Sequence, residues 1–146
     1  MTEFILCADF NLFPDGYEFN PTFLLSGYSF VKLGDWLETT MAVKEETVSE
    51  SESKNPKERG LRFPQEGIEI TLPTPVNKVI FRLRNDSRAA KLECLDASGN
   101  ITEETTIPSI FRYVDFQIAA PKISSLKITG GEVAISQISI AVCVTG

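Results

Sequence analysis

Histidine is absent from the 146 residues. The commonest general base and the commonest nitrogen ligand for a metal ion are thereby removed together. No Ser-His-Asp or Cys-His centre can form within the chain. Cysteine is scarce: Cys7, Cys94 and Cys143 are the three. An odd, sparse set does not read as a disulfide framework, and each lies in an apolar, strand-like run where a thiol packs as a small hydrophobe. One Cys94–Cys143 bridge stays geometrically open. Basic charge is also short. With 14 Lys and Arg against 20 Asp and Glu, the formal net charge is −6. Such a chain repels phosphate backbones, so nucleic acid is a poor partner, and it offers no basic face to an anionic membrane. No apolar run is long enough to span a bilayer. The first ten residues carry Glu3 and lack the basic start and long apolar stretch of a signal peptide, so the chain is expected to be cytoplasmic at synthesis.

What is present is a two-residue apolar period. Ile68, Ile70 and Leu72 alternate with polar residues, and Val79, Phe81 and Leu83 repeat the pattern with Arg82 and Arg84 on the opposite face. Ala90, Leu92 and Cys94 alternate with Lys91 and Glu93. A turn over 96–100 follows, rich in the Asp, Ser, Gly and Asn that such a turn needs. Ile101 to Ile107 reads as a threonine-rich strand stopped by Pro108. Val114, Phe116 and Ile118 alternate against Tyr113, Asp115 and Gln117. Leu126 and Ile128 form a short strand ended by Gly130-Gly131, and Ile138, Ile140, Val142 and Val144 close the chain. In the first half, Phe4, Leu6 and Ala8, the stretch Tyr28 to Val31, and Leu37 to Val43 read as strands. Pro14-Asp15-Gly16 and Asn20-Pro21 mark turns. No helical period appears. Short strands at this spacing indicate an all-β antiparallel sandwich or barrel. With 42% hydrophobic residues the chain can fill a core, and its length suits one domain over 1–146. Lys44 to Gly60 is rich in Glu, Ser and Lys, with nearly balanced charge. It reads as a polar surface loop within that domain.

The run Gly60 to Pro64, followed by Gly67 to Val76, resembles the galactose-binding-like jelly-roll domains. The strand Val79 to Leu83, the strand and turn Leu92 to Gly99, the phrase Leu126 to Glu132 and the closing Ile138-Ser139-Ile140 extend the likeness. It covers Leu61 to Val144 well and the first sixty residues loosely. The resemblance implies a jelly-roll β-sandwich similar to carbohydrate-binding modules, discoidin-like domains and accessory pieces of larger enzymes or assemblies. It also implies a structural calcium near the first and last strands, for which Asp9, Asn11, Asp15 and Glu132 would supply oxygen ligands. Gln137 departs from the acidic residue often found before the final strand. Equally, Asp9, Asn11 and Asp15 read as turn residues and Glu132 as a solvated charge.

Saccharide binding calls for aromatic faces and for groups that bond hydroxyls. Trp36, Tyr28, Tyr17 and Tyr113 are aromatics with a polar edge. Arg82, Arg84, Arg88 and Arg112 are donors, with Asn85-Asp86 in a loop beside them. Trp36, between Leu33 and Leu37, also reads as a core residue, and the arginines also read as an ordinary exposed sheet face. Adjacent carboxylates such as Glu103-Glu104 point to opposite faces of a strand and cannot work as a pair. The expected function is therefore a non-catalytic binding module, with carbohydrate as the ligand class. The competing reading is a structural or assembly subunit of a virion, tail or injection apparatus. It rests on the standalone domain, the missing signal and the final strand, whose second face (Ala141, Cys143) is not polar. A strand covered on both sides and a homo-oligomeric contact explain that face equally.

Overall fold

The computed structural model describes residues 2–34, 41–45 and 58–144. Every strand pairing among them is antiparallel. One layer runs from β3 (Thr22–Leu25) through β4 (Tyr28–Lys32) to the first half of β7 (Ile68–Asn85). It continues through the second half of β10 (Ile110–Thr129) to β8 (Ala90–Leu95) and β9 (Ile101–Ile107). The other layer holds the first half of β10, the second half of β7 and then β11 (Val133–Val144). Beyond β11 lie β1 (Thr2–Asp9) and β6 (Arg59–Arg62), with β5 (Met41–Glu45) and β2 (Glu18–Phe19) extending from β6. The expected all-β antiparallel sandwich is the observed fold.

Alternation places the core as the period predicts. Ile68, Ile70, Leu92, Cys94, Leu126 and Ile128 of the first layer meet Val79, Phe81, Leu83, Ile135 and Ile138 of the second, and all of these are buried. Complete burial of one such side chain contributes roughly 1.5–3 kcal/mol. A single 3-10 turn, Phe10–Leu12, follows β1 and inserts Phe10 against Phe30 at 5.5 Å and Phe19 at 5.7 Å, both edge-on. The Tyr28 hydroxyl crosses the core and donates to the Leu6 carbonyl at 2.7 Å, tying β4 to β1. Burial, above all, and the nearby Cys7 hold its pKa well above the ordinary tyrosine value, while a backbone hydrogen bond with Ile140 lowers it.

Two expectations change. The separate strands read at 68–72 and 79–83 are one strand, and those at 114–118 and 126–128 are another. Each bends from one layer into the other without reversing. Pro73 and Pro75 lack the N–H needed to hold the ladder flat. Between its partners Val76 and Thr71, β7 covers a longer stretch than β10 does between Ile123 and Ser125. On β10 the bend falls at Pro121-Lys122, where Lys122 adopts φ 50° and its N–H donates to Asn77 Oδ1 at 3.0 Å. The polar loop expected over 44–60 has both of its ends in strands. Lys44 and Glu45 belong to β5, and Arg59 and Gly60 to β6. Residues 46–57 lie outside the described residues, as do 35–40 at the start of the expected Leu37 to Val43 strand.

All three cysteines are free, so the Cys94–Cys143 bridge is not formed. Cys94 points into the core and Cys143 is exposed. Burial, followed by the charge of Glu103, pushes the Cys94 thiol pKa up to about 11. Iodoacetamide at neutral pH is therefore expected to label Cys143 readily and Cys94 only after denaturant is added, as peptide mass mapping would read. On the outer face of the second layer, the Tyr113 ring folds over Gly60, and a Cβ at that glycine would run into the Tyr113 hydroxyl. Gly60→Ala is expected to cost about 1–3 kcal/mol in a urea unfolding curve, the usual range for overpacking. An unchanged midpoint would show that Tyr113 can move aside.

Candidate functional site

At the end of β7 the side chain of Asn85 is fully buried and makes four hydrogen bonds. Its amide nitrogen donates to the carbonyls of Arg88 at 2.9 Å and Ile107 at 3.2 Å. Its oxygen accepts from the backbone N–H of Ser87 at 3.3 Å and Glu132 at 3.0 Å. One amide thus ties the β7–β8 loop to the turn between β10 and β11 and to the end of β9. The turn must come very close, and Gly131 allows it: a Cβ there would lie 2.7 Å from Asn85 Oδ1 and 2.8 Å from the Arg88 carbonyl. Gly130 N–H donates to the Gln65 carbonyl at 2.8 Å, which adds the β6–β7 loop to the set.

These three loops enclose a cleft of about 530 Å³, lined by Phe63, Pro64, Gln65, Glu66, Ser87, Arg88 and Glu132. Phe63 is nearly buried at its base, whereas Gln65, Glu66, Arg88 and Glu132 are exposed. The Arg88 guanidinium makes one long hydrogen bond, 3.4 Å to Gln65 Oε1, and pairs with no carboxylate among the described residues. The cleft therefore presents a cation, two carboxylates, an amide and a hydroxyl over a small apolar base. This mixture of donors and acceptors matches a polyhydroxylated ligand.

The other residues singled out from the sequence are placed differently. Arg84 is 6% exposed. It is bonded through Nε to Asp86 at 2.9 Å and through Nη2 to the Phe111 carbonyl at 3.2 Å, and it lies 5.5 Å over the Tyr113 ring. Arg62 shares Asp86 with it. Arg82 is held by a two-pronged pair with Glu58 and by Asp115. The Glu58 hydrogen bond, foremost, raises its pKa further above the ordinary arginine value. Arg82, Arg84 and Asp86 thus have partners within the chain. Arg112 is exposed on β10. Tyr28 lies in the core, and Trp36 lies outside the described residues.

Of the oxygen ligands considered for calcium, Asp9 and Asn11 stand together. Asp9 Oδ1 accepts from Asn11 N at 2.9 Å and from Asn11 Nδ2 at 3.0 Å, the geometry of an N-cap. Asn11 also donates to Ser136 Oγ at 2.7 Å, and its own oxygen accepts from Arg59 N at 2.8 Å. Asp15 accepts from Glu45 N at 2.8 Å, and Glu132 belongs to the loop-end cleft. Among the described residues no three of Asp, Glu, Cys or His gather so as to hold a metal ion.

Gln65, Glu66 and Ser87 were not singled out from the sequence. Ser87 sits inside the Asn85-to-Arg88 turn, whereas Gln65 and Glu66 lie in a distant turn that the Gly130–Gln65 backbone bond brings to it, a contact with no local signal. A second concavity, an open groove of about 670 Å³, runs along β11 on the other layer, and no aromatic side chain lines it.

No family model matches the chain, and no curated protein matches it in sequence. Among solved structures it is similar to a carbohydrate binding module from Cellvibrio mixtus lichenase 5A in complex with cellotriose. The identity is 12%, with 70% of this chain and 88% of that one covered and a TM-score of 0.43. It is also similar to a variant of a family 29 carbohydrate binding module complexed with mannohexaose, with 11% identity, 97% and 93% coverage and a TM-score of 0.47. A third is an arabinose-bound α-L-arabinofuranosidase, with 12% identity, 90% of this chain but 25% of that one covered, and a TM-score of 0.48. Likenesses this remote assign neither a family nor a ligand.

Replacing Asn85 by Ala would leave two carbonyls and two N–H groups without their partner. Asn85→Ala is expected to lose about 3 kcal/mol in urea denaturation, and Asn85→Asp, which restores only the acceptor, to lose a similar amount. A loss below about 0.5 kcal/mol would mean that water replaces the amide and that the loops are not tied through it.

Proposed function

We propose that the chain is a non-catalytic binding module whose loop-end cleft takes a neutral saccharide. The observation that carries this reading is a set of hydrogen-bonding side chains on one concavity, engaged with one another through the long Arg88–Gln65 bond alone among the described residues. Arg88 and Ser87 donate to sugar oxygens, Glu66 and Glu132 accept from sugar hydroxyls, and the Gln65 amide does both. Two of the loops bearing them are held by the buried Asn85 and the third by the Gly130–Gln65 backbone bond, so little ordering remains to be done when a ligand enters. Two exposed carboxylates in the cleft and a formal net charge of −6 work against an acidic saccharide.

The same composition argues for binding without turnover. A glycosidase sets two carboxyl groups at a fixed separation across the scissile bond and tucks the acid against apolar walls. Glu66 and Glu132 are both exposed, and the chain has no histidine to serve in their place.

Screening on an array of neutral and acidic glycans is expected to give reproducible binding to one neutral class. Titration calorimetry of the best ligand should then show about a tenfold weaker Kd for Arg88→Ala, the loss of roughly 1.4 kcal/mol. Chelator is expected to leave the affinity unchanged, because Asp9 and Asn11 already bond to the chain's own groups. A blank array, or a ligand whose affinity ignores Arg88→Ala and Glu132→Gln together, would remove the cleft from the function.

A further inference from the structure

Along β11 the sheet is left open on one side. β11 is laddered to β7 from Val133 to Ser139 and to β1 from Gln137 to Val144. Beyond Ser139 only the β1 side is paired. β7 leaves the ladder after Ile80, and its stretch from Thr74 to Lys78 forms the far wall of the 670 Å³ groove. In an antiparallel strand every second residue turns both its N–H and its C=O to the same side. Part of the Ile140–Val144 backbone therefore faces the groove with no strand beside it among the described residues.

The sequence of this edge is unguarded. Ile140, Ala141, Val142, Cys143 and Val144 include no charge, proline or glycine. Natural sheets blunt a free edge with such residues, because an uncharged β-branched run otherwise recruits other strands. Apolar side chains border the groove on its outer face, with Ile5 62% exposed and Ile80 40% exposed. Two charges of opposite sign line it, Lys78 on the far wall and Glu3 on β1.

We propose that this edge is a docking site for one extended segment of a partner polypeptide, added as a strand antiparallel to β11 in the place that β7 vacates. The occupant is defined by what the groove offers. Backbone hydrogen bonds demand an extended chain, and the apolar borders demand valine-like side chains. Lys78 favours an acidic residue opposite it, and Glu3, beside Cys143, disfavours a second one at the other end. A folded second copy is a poor fit. Any strand it presented would bring its own neighbouring strand against the Thr74–Lys78 wall, whereas a lone segment slides between the walls. The groove shares no residue with the loop-end cleft, so this inference stands apart from the saccharide reading.

The test uses the whole protein, labelled with nitrogen-15, and a capped seven-residue peptide alternating valine and threonine with one terminal glutamate. With excess peptide, the groove-facing amides of Ile140–Val144 are expected to exchange about tenfold more slowly, with shift changes along Thr74–Ile80. The same peptide with a central proline, which lacks the N–H, should have no effect. Ala141→Lys, which places a charge on the edge, should abolish the protection while leaving the melting curve in place. Unchanged exchange with the valine peptide, or equal protection by the proline peptide, would overturn the proposal. So would edge amides already slow in the free protein at a mass of two chains, which would make a second copy the occupant.

Discussion

The ladder between β7 and β10 is the constraint from which the rest of the molecule follows. These are the two longest strands, and each crosses from one layer of the sandwich to the other. Because both bend at the same level, the layers are continuous with each other and are not separate sheets held only by side-chain packing. The bend fixes where the apolar faces meet, and so which residues of β4, β8, β11 and β1 have a core to face. It also determines where β7 must leave β11, which opens the groove along Ile140–Val144. At the other end, β7 delivers Asn85 to the point where two loops and the end of β9 share one amide.

The sequence made the inward residues legible because a buried sheet face imposes a period of two on any strand. Val79, Phe81 and Leu83, and Ile68 and Ile70, read correctly for that reason. It did not show that these two runs are one strand, since a proline pair marks a bend and a strand end alike. The ring of Tyr113 was assigned outward by alternation. It is outward, yet it is nearly buried, because it lies back over the sheet on Gly60 and under the Arg84 guanidinium. Alternation tells which face a residue takes and not what else covers that face.

The same limit applies to the arginines. A sequence displays Arg82 and Arg84 as donors on an outer face, but their availability depends on acids far along the chain. Glu58 comes from the edge of a polar, low-complexity stretch, and no local pattern connects it to Arg82. Asp86 is only two residues from Arg84, a spacing that keeps both side chains on one face, but nothing in the sequence shows that the pair closes on itself. Arg88 lies on the β7–β8 loop, where its one hydrogen bond is the long one to Gln65 Oε1 and no carboxylate of the described residues pairs with it. Among the candidate residues, then, those most visible as a charged stripe are occupied within the protein, and the uncommitted ones lie in short turns that carry little signal of their own.

The shared amide of Asn85 also has a consequence for how such a cleft can diversify. The β7–β8 loop, the β10–β11 turn and the end of β9 meet at a single side chain, and the turn passes it through a glycine with no room for a Cβ. Lengthening the β7–β8 loop or the β10–β11 turn would pull its backbone off the amide, and a displaced turn would also lose the Gly130 bond that holds the Gln65 loop. Variation in what the cleft recognises is therefore channelled into exchanges of side chain at fixed loop length, at positions such as 65, 66, 87, 88 and 132. A lineage of this chain would be expected to alter its specificity by substitution and to tolerate insertions elsewhere, in the polar stretch after β5.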